Sequence, residues 1–290
     1  MTLPRILLTG KDGQVGFELE RTLSPLGDVT AVDIGDCDLT DAAAIERLMA
    51  EVSPDIIVNP AAYTAVDKAE SDAQTAAAIN ATAPGILGTL AAKRNALMVH
   101  FSTDYVFDGT KDTPYEETDP PHPVSVYGRS KLAGEEAVRQ SGAKHLIFRL
   151  CWVYGTRGAN FLLTMQRLAK EREELKIVND QFGAPTWCRT IAESTAMILA
   201  QHIARPIEKS GTYHMSAEGV TSWYEFAKAI FELSANRTEF ALKKATPIPT
   251  SDYPTPAKRP AYSVLSNNRL TADFGIHLPD WRVQLAQALR

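Results

Sequence analysis

The chain has 290 residues, of which 44% are hydrophobic and 22% are charged, a balance typical of a folded globular protein. Its 30 Lys and Arg against 35 Asp and Glu give a net charge of -5, which argues against binding to nucleic acid or to an anionic membrane. Cys37, Cys151 and Cys188 are scattered without metal-ligand spacing, as is typical of a reducing compartment. No window reaches a membrane-spanning length, so we expect a cytoplasmic protein without a membrane segment.

The first half of the chain alternates strand and helix patterns. The predicted strands cover residues 5–9, 29–33, 55–59, 97–101 and 145–149, and the predicted helices cover residues 14–23, 42–51, 73–92 and 126–140. Because strands and helices alternate, the sheet should be parallel and covered by helices on both faces. The pattern therefore predicts an α/β protein built on a doubly wound sheet.

The pattern becomes less regular after Cys151, where prolines interrupt the helical and strand signals. Five of these prolines lie between Pro247 and Pro260. We therefore expect two parts, a nucleotide-binding domain over residues 1–151 and a smaller, mixed lobe over residues 152–290. This second part should mainly bind the substrate, with some segments returning to the first domain.

A glycine-rich loop joins the first predicted strand to the first predicted helix. Its spacing, Gly10-x-x-Gly13-x-x-Gly16, departs from the commoner Gly-x-Gly-x-x-Gly, but its position is the one that a dinucleotide-binding loop requires. Glycines let the backbone approach a pyrophosphate, and the helix N-terminus supplies free N–H groups. The sequence thus predicts a doubly wound parallel Rossmann sheet, in which the cofactor contacts Gly10, Lys11, Asp12, Gly13, Gln14, Val15 and Gly16.

The adenosine end of the predicted cofactor site leaves two alternatives open. Asp33 ends the second predicted strand, where a carboxylate would bind a ribose 2′-hydroxyl and favour NADH. Lys11 would instead suit the 2′-phosphate of NADPH. Asp38 and Leu39 are predicted to line the adenine side. The sequence therefore predicts NADPH or NADH without choosing between them.

Tyr127 and Lys131 stand four residues apart at the start of a predicted helix, so they share one helix face. Such a pair is by itself typical of a solvated surface. A nearby cation favours the phenolate, however, and we expect Lys131 to lower the pKa of Tyr127 so that the phenol can serve as a general acid. Ser102, Thr103 and Asp104 form a turn upstream that could approach the pair.

Several motifs resemble a known enzyme family. Thr103, Tyr127 and Lys131 match the catalytic triad of the extended short-chain dehydrogenase/reductases. Residues 59–70, 102–109 and 179–186, together with Arg259-Pro260, further resemble the dTDP-4-dehydrorhamnose reductase family. This resemblance covers essentially the whole chain. It implies a dTDP-sugar as substrate and reduction of the C4 keto group of dTDP-4-dehydro-L-rhamnose by NADPH or NADH.

The resemblance also implies roles for individual residues. Tyr127 would donate a proton to the substrate oxygen, Thr103 would hold the same oxygen, and Lys131 would bind the nicotinamide ribose and stabilise the phenolate. The implied cofactor neighbours are Tyr127, Lys131, Ala62, Tyr63 and Thr64. The implied substrate contacts are Thr103, Asp104, Trp152 and Arg259.

Asp104, Trp152 and Arg259 could each instead have no direct role in substrate binding. Trp152 follows a buried strand and could be part of the core. Asp104 could cap its turn. Arg259 is equally consistent with a surface cation and with a ligand of the sugar-nucleotide diphosphate.

The resemblance makes Mg²⁺ possible, because acidic side chains bind it at a subunit contact in some relatives. Here the segment after Thr186 offers Cys188 and Arg189 but no carboxylate, and a hard cation needs convergent oxygen ligands. We therefore assign no metal ligands. The sequence leaves both a monomer and a homodimer open.

Three other functions are alternatives to a reductase. The same family includes a regulatory subunit of methionine adenosyltransferase, which binds the cofactor without catalysis, but the intact Thr103, Tyr127 and Lys131 argue against that role. A dehydratase is disfavoured because Asp104 is followed by Tyr105 instead of Glu. An epimerase of another nucleotide sugar is harder to exclude; it would retain an oxidised cofactor, whereas a reductase exchanges its cofactor.

Overall fold

The computed structural model describes residues 3–206, 208, 210–235 and 239–290. The strands are β1 (Arg5–Thr9), β2 (Asp28–Val32), β3 (Ile56–Asn59), β4 (Leu97–Thr103), β5 (Lys144–Leu150), β6 (Val153–Tyr154), β7 (Glu174–Val178), β8 (Phe182–Gly183), β9 (Thr186–Trp187), β10 (Gly211–His214), β11 (Thr221–Ser222) and β12 (Lys244–Ile248). The helices are α1 (Gln14–Leu23), α2 (Ala42–Val52), α3 (Val66–Ala69), α4 (Ala73–Ala77), α5 (Ala83–Arg94), α6 (Val126–Gln140), α7 (Phe161–Glu171), α8 (Cys188–Ala204), α9 (Trp223–Ser234), α10 (Asn268–Phe274) and α11 (Trp281–Ala288).

Six parallel strands form the central sheet, in the spatial order β10-β5-β4-β3-β1-β2. All residues of β3 and β4 are buried, because helices cover both faces of the sheet. β2 and β3 lie on opposite sides of β1, so the connections that leave β1 and β3 diverge and open a crevice at the carboxyl ends of the strands. The predicted α/β parallel sheet is confirmed.

Most predicted elements of the first half are present, and α1 and α6 have the predicted bounds. The helix predicted over residues 73–92 is different, because a π turn over Ala78–Thr82 separates α4 from α5. Inside this turn Asn80 is fully buried, and its side chain bonds the backbone of Tyr63 and the Ser130 hydroxyl. The irregularity thus accompanies a long-range contact that the alanine-rich sequence does not reveal.

The C-terminal half contributes to both parts of the molecule. β10 extends the central sheet beside β5, and α8 packs on α1. A separate apolar core, which includes Tyr154, Phe226 and Trp281, joins α7, α9 and α11. The predicted domain division at residue 151 stays a prediction. In the part of the chain that the structure describes, no helix combines the length and apolar character needed to cross a bilayer.

A buried ion pair ties α6 to the sheet. Glu135 on α6 is fully buried and accepts two hydrogen bonds from the guanidinium of Arg149 on β5, at 2.8 and 2.7 Å. The Ser102 hydroxyl at the end of β4 donates to the same carboxylate at 2.6 Å, and Arg139 on the next helical turn donates at 3.1 Å. These bonds fix how α6 lies across β4 and β5.

We expect Glu135→Ala to lower the free energy of unfolding by about 3–5 kcal/mol, because it leaves the buried Arg149 cation without its partner. Urea unfolding at pH 7 measures this effect. Glu171→Ala is the matched control, since its ion pair with Arg167 is exposed and its loss should change stability by less than about 0.5 kcal/mol. Equal losses of unfolding free energy in the two variants would contradict the stabilising role of the buried pair of Glu135 and Arg149.

Candidate active site

A cavity of about 800 Å³ opens at the carboxyl ends of the central strands. Its walls come from the loops that follow β1, β2, β3 and β4 and from the first turns of α6. The sequence-predicted residues that line it are Gly10, Asp12, Gly13, Gln14, Val15, Gly16, Asp33, Asp38, Leu39, Ala62, Thr64, Thr103, Asp104, Tyr127, Lys131 and Trp152. The fold therefore brings the glycine-rich loop and the predicted catalytic residues to one site.

The glycine-rich loop has the close packing that only glycine permits. Gly10 has a φ of +65°, and a Cβ atom on it would lie 2.9 Å from the Cα atom of Ala61. A Cβ atom on Gly16 would lie 1.9 Å from the carbonyl oxygen of Gly10. α1 begins next to Gly13, which has no side chain to cap the first N–H groups of the helix. This cradle fits the pyrophosphate of a dinucleotide.

Asp33 and Lys11, at the predicted adenosine end of the cofactor site, both bond to other groups of the protein. The Asp33 carboxylate accepts hydrogen bonds from the backbone N–H groups of Asp12 at 2.9 Å and Ile34 at 2.8 Å. Lys11 does not line the cavity; its ammonium lies 2.6 Å from the carboxylate of Asp36, and this hydrogen bond raises the pKa of Lys11. Asp36 holds the Lys11 side chain in this structure, and a contact between Lys11 and a 2′-phosphate stays a prediction.

Tyr63 is bonded to other protein groups. Ala62 and Thr64 line the cavity as predicted, but Tyr63 does not. Its phenol donates to the carboxylate of Asp72 at 3.1 Å, and its backbone N–H donates to the side chain of Asn80 at 2.8 Å. These bonds hold Tyr63 in its loop, and its contact with the cofactor stays a prediction.

Thr103, Tyr127 and Lys131 converge because α6 docks on the end of β4. Ser125 caps the helix by accepting from the Gly128 N–H at 3.1 Å. A Cβ atom on Gly128 would lie 2.2 Å from the carbonyl oxygen of Tyr105, so the helix lies directly against the turn that follows Thr103. The Lys131 ammonium donates to the carbonyl oxygen of Phe101 at 2.6 Å, and the Thr103 hydroxyl is a hydrogen-bonding partner of Tyr127.

The protonation of these residues is governed by burial. Burial raises the pKa of Tyr127 to about 12, although the hydrogen bond from Thr103 opposes the shift. Burial also lowers the pKa of Lys131 to about 8, against the charge of Glu135. The net pKa of Tyr127 is raised because burial outweighs the hydrogen bond from Thr103. The ammonium of Lys131 donates to the Phe101 carbonyl, and a lowering of the Tyr127 pKa by its charge stays a prediction. The phenol stays protonated at neutral pH and can donate its proton.

Two stacked indoles form another wall of the cavity. Trp152 and Trp223 lie with ring centroids 3.5 Å apart and planes 6° apart, and both line the cavity. Trp152 has a φ of +44°, an uncommon conformation for a residue with a side chain. A Cβ atom on Gly183 would lie 2.4 Å from the Trp152 ring. Trp223 was missed from the sequence; its one local signal is that it follows Ser222, which caps α9.

Asp104 and Arg259 have different surroundings. Asp104 lines the cavity and is 2% exposed, and burial raises its pKa to about 6. Arg259 does not line the cavity. Its guanidinium forms a bidentate ion pair with the carboxylate of Asp67, with N···O distances of 3.0 and 2.9 Å. This ion pair joins two segments of the protein, and a contact between Arg259 and the sugar-nucleotide diphosphate stays a prediction.

The structure gives no support for a resident metal. Among the described residues, no three His, Cys, Asp or Glu side chains converge in the way that a metal site needs.

We expect Gly16→Ala to weaken NADPH binding by at least about tenfold, because the new methyl group would displace the backbone that approaches the pyrophosphate. Titration of NADPH fluorescence measures the affinity, and circular dichroism checks the fold. Gly35→Ala is the control, because a Cβ atom there would meet no atom within 4 Å. Equal affinities in the two variants would contradict this account of the loop.

Comparison with known proteins agrees with this geometry. Residues 4–290 match the model of the family described as RmlD substrate binding domain. The chain is 51% identical to a dTDP-4-dehydrorhamnose reductase of Burkholderia thailandensis, over 99% of this chain and 98% of that protein. It is 46% identical to the dTDP-4-dehydrorhamnose reductase of Escherichia coli strain K12, over 98% of this chain and 96% of that protein.

A solved structure is similar over the same extent. The dTDP-4-dehydrorhamnose reductase of Bacillus anthracis, in complex with NADP, superposes with a TM-score of 0.90 at 36% identity and covers 99% of both chains. The family model and these relatives span nearly all of the chain. The chain therefore belongs to the RmlD substrate binding domain family and groups with the dTDP-4-dehydrorhamnose reductases.

Proposed function

We propose that this chain is a dTDP-4-dehydrorhamnose reductase, which reduces the C4 keto group of dTDP-4-dehydro-L-rhamnose to give dTDP-L-rhamnose. Full-length identity of 51% and 46% to reductases of that name supports the substrate, and the NADP complex of a relative supports NADPH or NADH as the reductant. The observation that carries the proposal is the cavity in which the glycine-rich loop faces the same space as Thr103, Tyr127 and Lys131.

The glycine-rich loop is the proposed site of the reduced dinucleotide, which supplies a hydride when bound. Gly10 and Gly16 leave room for the pyrophosphate, and the free N–H groups at the start of α1 would bind its oxygens. The Lys131 ammonium, beyond its bond to the Phe101 carbonyl, has two further hydrogens for the nicotinamide ribose. This arrangement would place the reactive end of the cofactor beside Tyr127.

The proton that completes the reduction is assigned to Tyr127. As hydride adds to the C4 carbon, the carbonyl oxygen becomes an alkoxide that takes the phenolic proton. A hydroxyl hydrogen bond from Thr103 would hold this oxygen, and the charge of Lys131 would stabilise the phenolate left behind. Because the pKa of Lys131 is about 8, its ammonium is mostly charged at neutral pH, and activity should decline above that value.

The stacked Trp152 and Trp223 are the proposed apolar support for the sugar ring. Both residues line the cavity, and a deoxysugar presents an apolar face that suits such a surface. Asp104, at the end of β4, provides a polar group beside the same space. The cavity thus offers both an apolar and a polar wall to a 6-deoxy sugar.

The direct test is an assay of the purified chain with dTDP-4-dehydro-L-rhamnose and each reduced cofactor. The expected result is oxidation of NADPH or NADH and formation of dTDP-L-rhamnose, identified by NMR. Absence of cofactor oxidation, with nucleotide still bound, would favour a regulatory binding role. Conversion of the sugar without net cofactor oxidation would instead indicate an epimerase.

We expect Tyr127→Phe to lower kcat by about 10²–10⁴-fold, because the variant loses the general acid. Steady-state kinetics give kcat, and cofactor fluorescence should show that NADPH binding is retained. Tyr253→Phe is the control, since that residue is 58% exposed and lies outside the cavity wall. Unchanged turnover in folded Tyr127→Phe would rule out the assigned proton donor.

We expect Asp36→Asn to shift the preference of the enzyme toward NADPH by about two- to fivefold, because it releases Lys11 from an exposed ion pair. The measured quantity is the ratio of kcat/KM for NADPH to that for NADH. Asp28→Asn makes the same change in net charge at the opposite end of β2 and should leave the ratio unaltered. A ratio that moves toward NADH in Asp36→Asn would show that Lys11 does not reach the 2′-phosphate.

A further inference from the structure

The Thr103 hydroxyl has more partners than its one hydrogen can serve. Its oxygen accepts a hydrogen bond from the Tyr105 N–H at 3.2 Å and lies 3.0 Å from Oδ1 of Asp104. It is also a hydrogen-bonding partner of Tyr127. A hydroxyl carries one donor hydrogen and two acceptor lone pairs. The direction in which that hydrogen points is therefore decided by its neighbours.

Asp104 can set this direction in either of two ways. An ionised carboxylate only accepts hydrogen bonds, so it would take the Thr103 hydrogen. A protonated carboxyl group can instead donate to the Thr103 oxygen. In that state the Thr103 hydrogen is free to point into the cavity, toward the oxygen of the substrate.

The surroundings of Asp104 favour its protonated state more than water does. The side chain is 2% exposed, and its Oδ2 atom has no hydrogen bond of good geometry within the described residues. The groups that face it are Cys151 after β5, Ser263 in the C-terminal half, Tyr105 on the adjoining turn and Tyr127 on α6. None of these four is a cation, and their hydroxyl and thiol groups offset burial only in part. The pKa of Asp104 is accordingly raised to about 6.

We propose that Asp104 is a positioning residue that acts through Thr103: protonated Asp104 directs the Thr103 hydrogen to the substrate oxygen, and ionised Asp104 withdraws it. This inference rests on the proposed reductase function and adds a protonation requirement to it. Asp104 itself transfers no proton to the substrate, since Tyr127 remains the donor.

The proposed enzyme should lose activity as pH rises. The active form is protonated, so kcat/KM should be highest below the pKa of Asp104 and decline as pH rises through about 6. The decline should approach about tenfold per pH unit above that value. A second decline, from loss of the Lys131 proton, is expected only above about pH 8, so the two effects separate along the pH axis.

The first test compares the pH profiles of wild type and Asp104→Asn between pH 5 and pH 9. The amide of Asn is similar in shape, cannot ionise in this range and can donate permanently to the Thr103 oxygen. Wild type should lose about tenfold in kcat/KM between pH 5 and pH 7, whereas the variant should lose less than about twofold. Both should keep the later decline near pH 8. An unaltered early decline in Asp104→Asn would overturn the proposal.

Variants of Thr103 separate action through the hydroxyl from a direct contact between Asp104 and the sugar. Thr103→Ser keeps the hydroxyl and should keep the decline near pH 6. Thr103→Val removes it, so the residual activity should no longer show that decline. Persistence of the decline in Thr103→Val would mean that Asp104 acts on the substrate by itself, and the proposal would fail.

Infrared titration of the folded protein tests the protonation state without turnover. The carbonyl stretch of a protonated carboxyl group, identified by its loss in Asp104→Asn, should disappear near pH 6. Disappearance of this band near pH 4, about the ordinary pKa of an aspartic acid, would overturn the proposal. A wild-type chain that does not oxidise cofactor would contradict the reductase function, while the infrared result would still decide the state of Asp104.

Discussion

The hydrogen bond from the Lys131 ammonium to the carbonyl oxygen of Phe101, 2.6 Å long, joins the two elements on which the site depends. It fixes α6 against β4 from within the core, where water does not compete for either group. Four residues earlier on α6, Tyr127 is thereby placed beside Thr103 at the end of β4. The buried pair of Glu135 and Arg149 secures the next helical turn in the same way, so the site is built on rigid elements.

The same burial that orders the site also sets its protonation. It raises the pKa of Tyr127 and Asp104 and lowers that of Lys131, because a low-dielectric interior disfavours every charged form. In the proposed mechanism, Tyr127 would therefore enter the reaction protonated, and the charge of Lys131 would stabilise the phenolate that forms. The raised pKa of the phenol and its proposed role as an acid are thus compatible.

Local sequence predicts much of this arrangement. The caps and periodicity of α1 and α6, the glycine-rich loop, and the shared face of Tyr127 and Lys131 all depend on residues close in the chain. The ion pair between Arg259 and Asp67 is not predictable from local sequence, because 192 residues separate the two partners. The stacking of Trp152 on Trp223 likewise depends on how distant segments fold together. The spacing of Tyr127 and Lys131 does not predict the raised pKa of Tyr127, because that rise comes from burial, which sequence spacing does not show.

The central claim is that the fold holds a nicotinamide and a 4-keto sugar together so that hydride passes directly between them. Reduction with NADPH that carries deuterium at the transferring position of the nicotinamide tests this claim most directly. The account predicts dTDP-L-rhamnose with deuterium at C4 of the sugar, detected by NMR and mass spectrometry. Product without deuterium at C4, or with deuterium at another carbon, would contradict it.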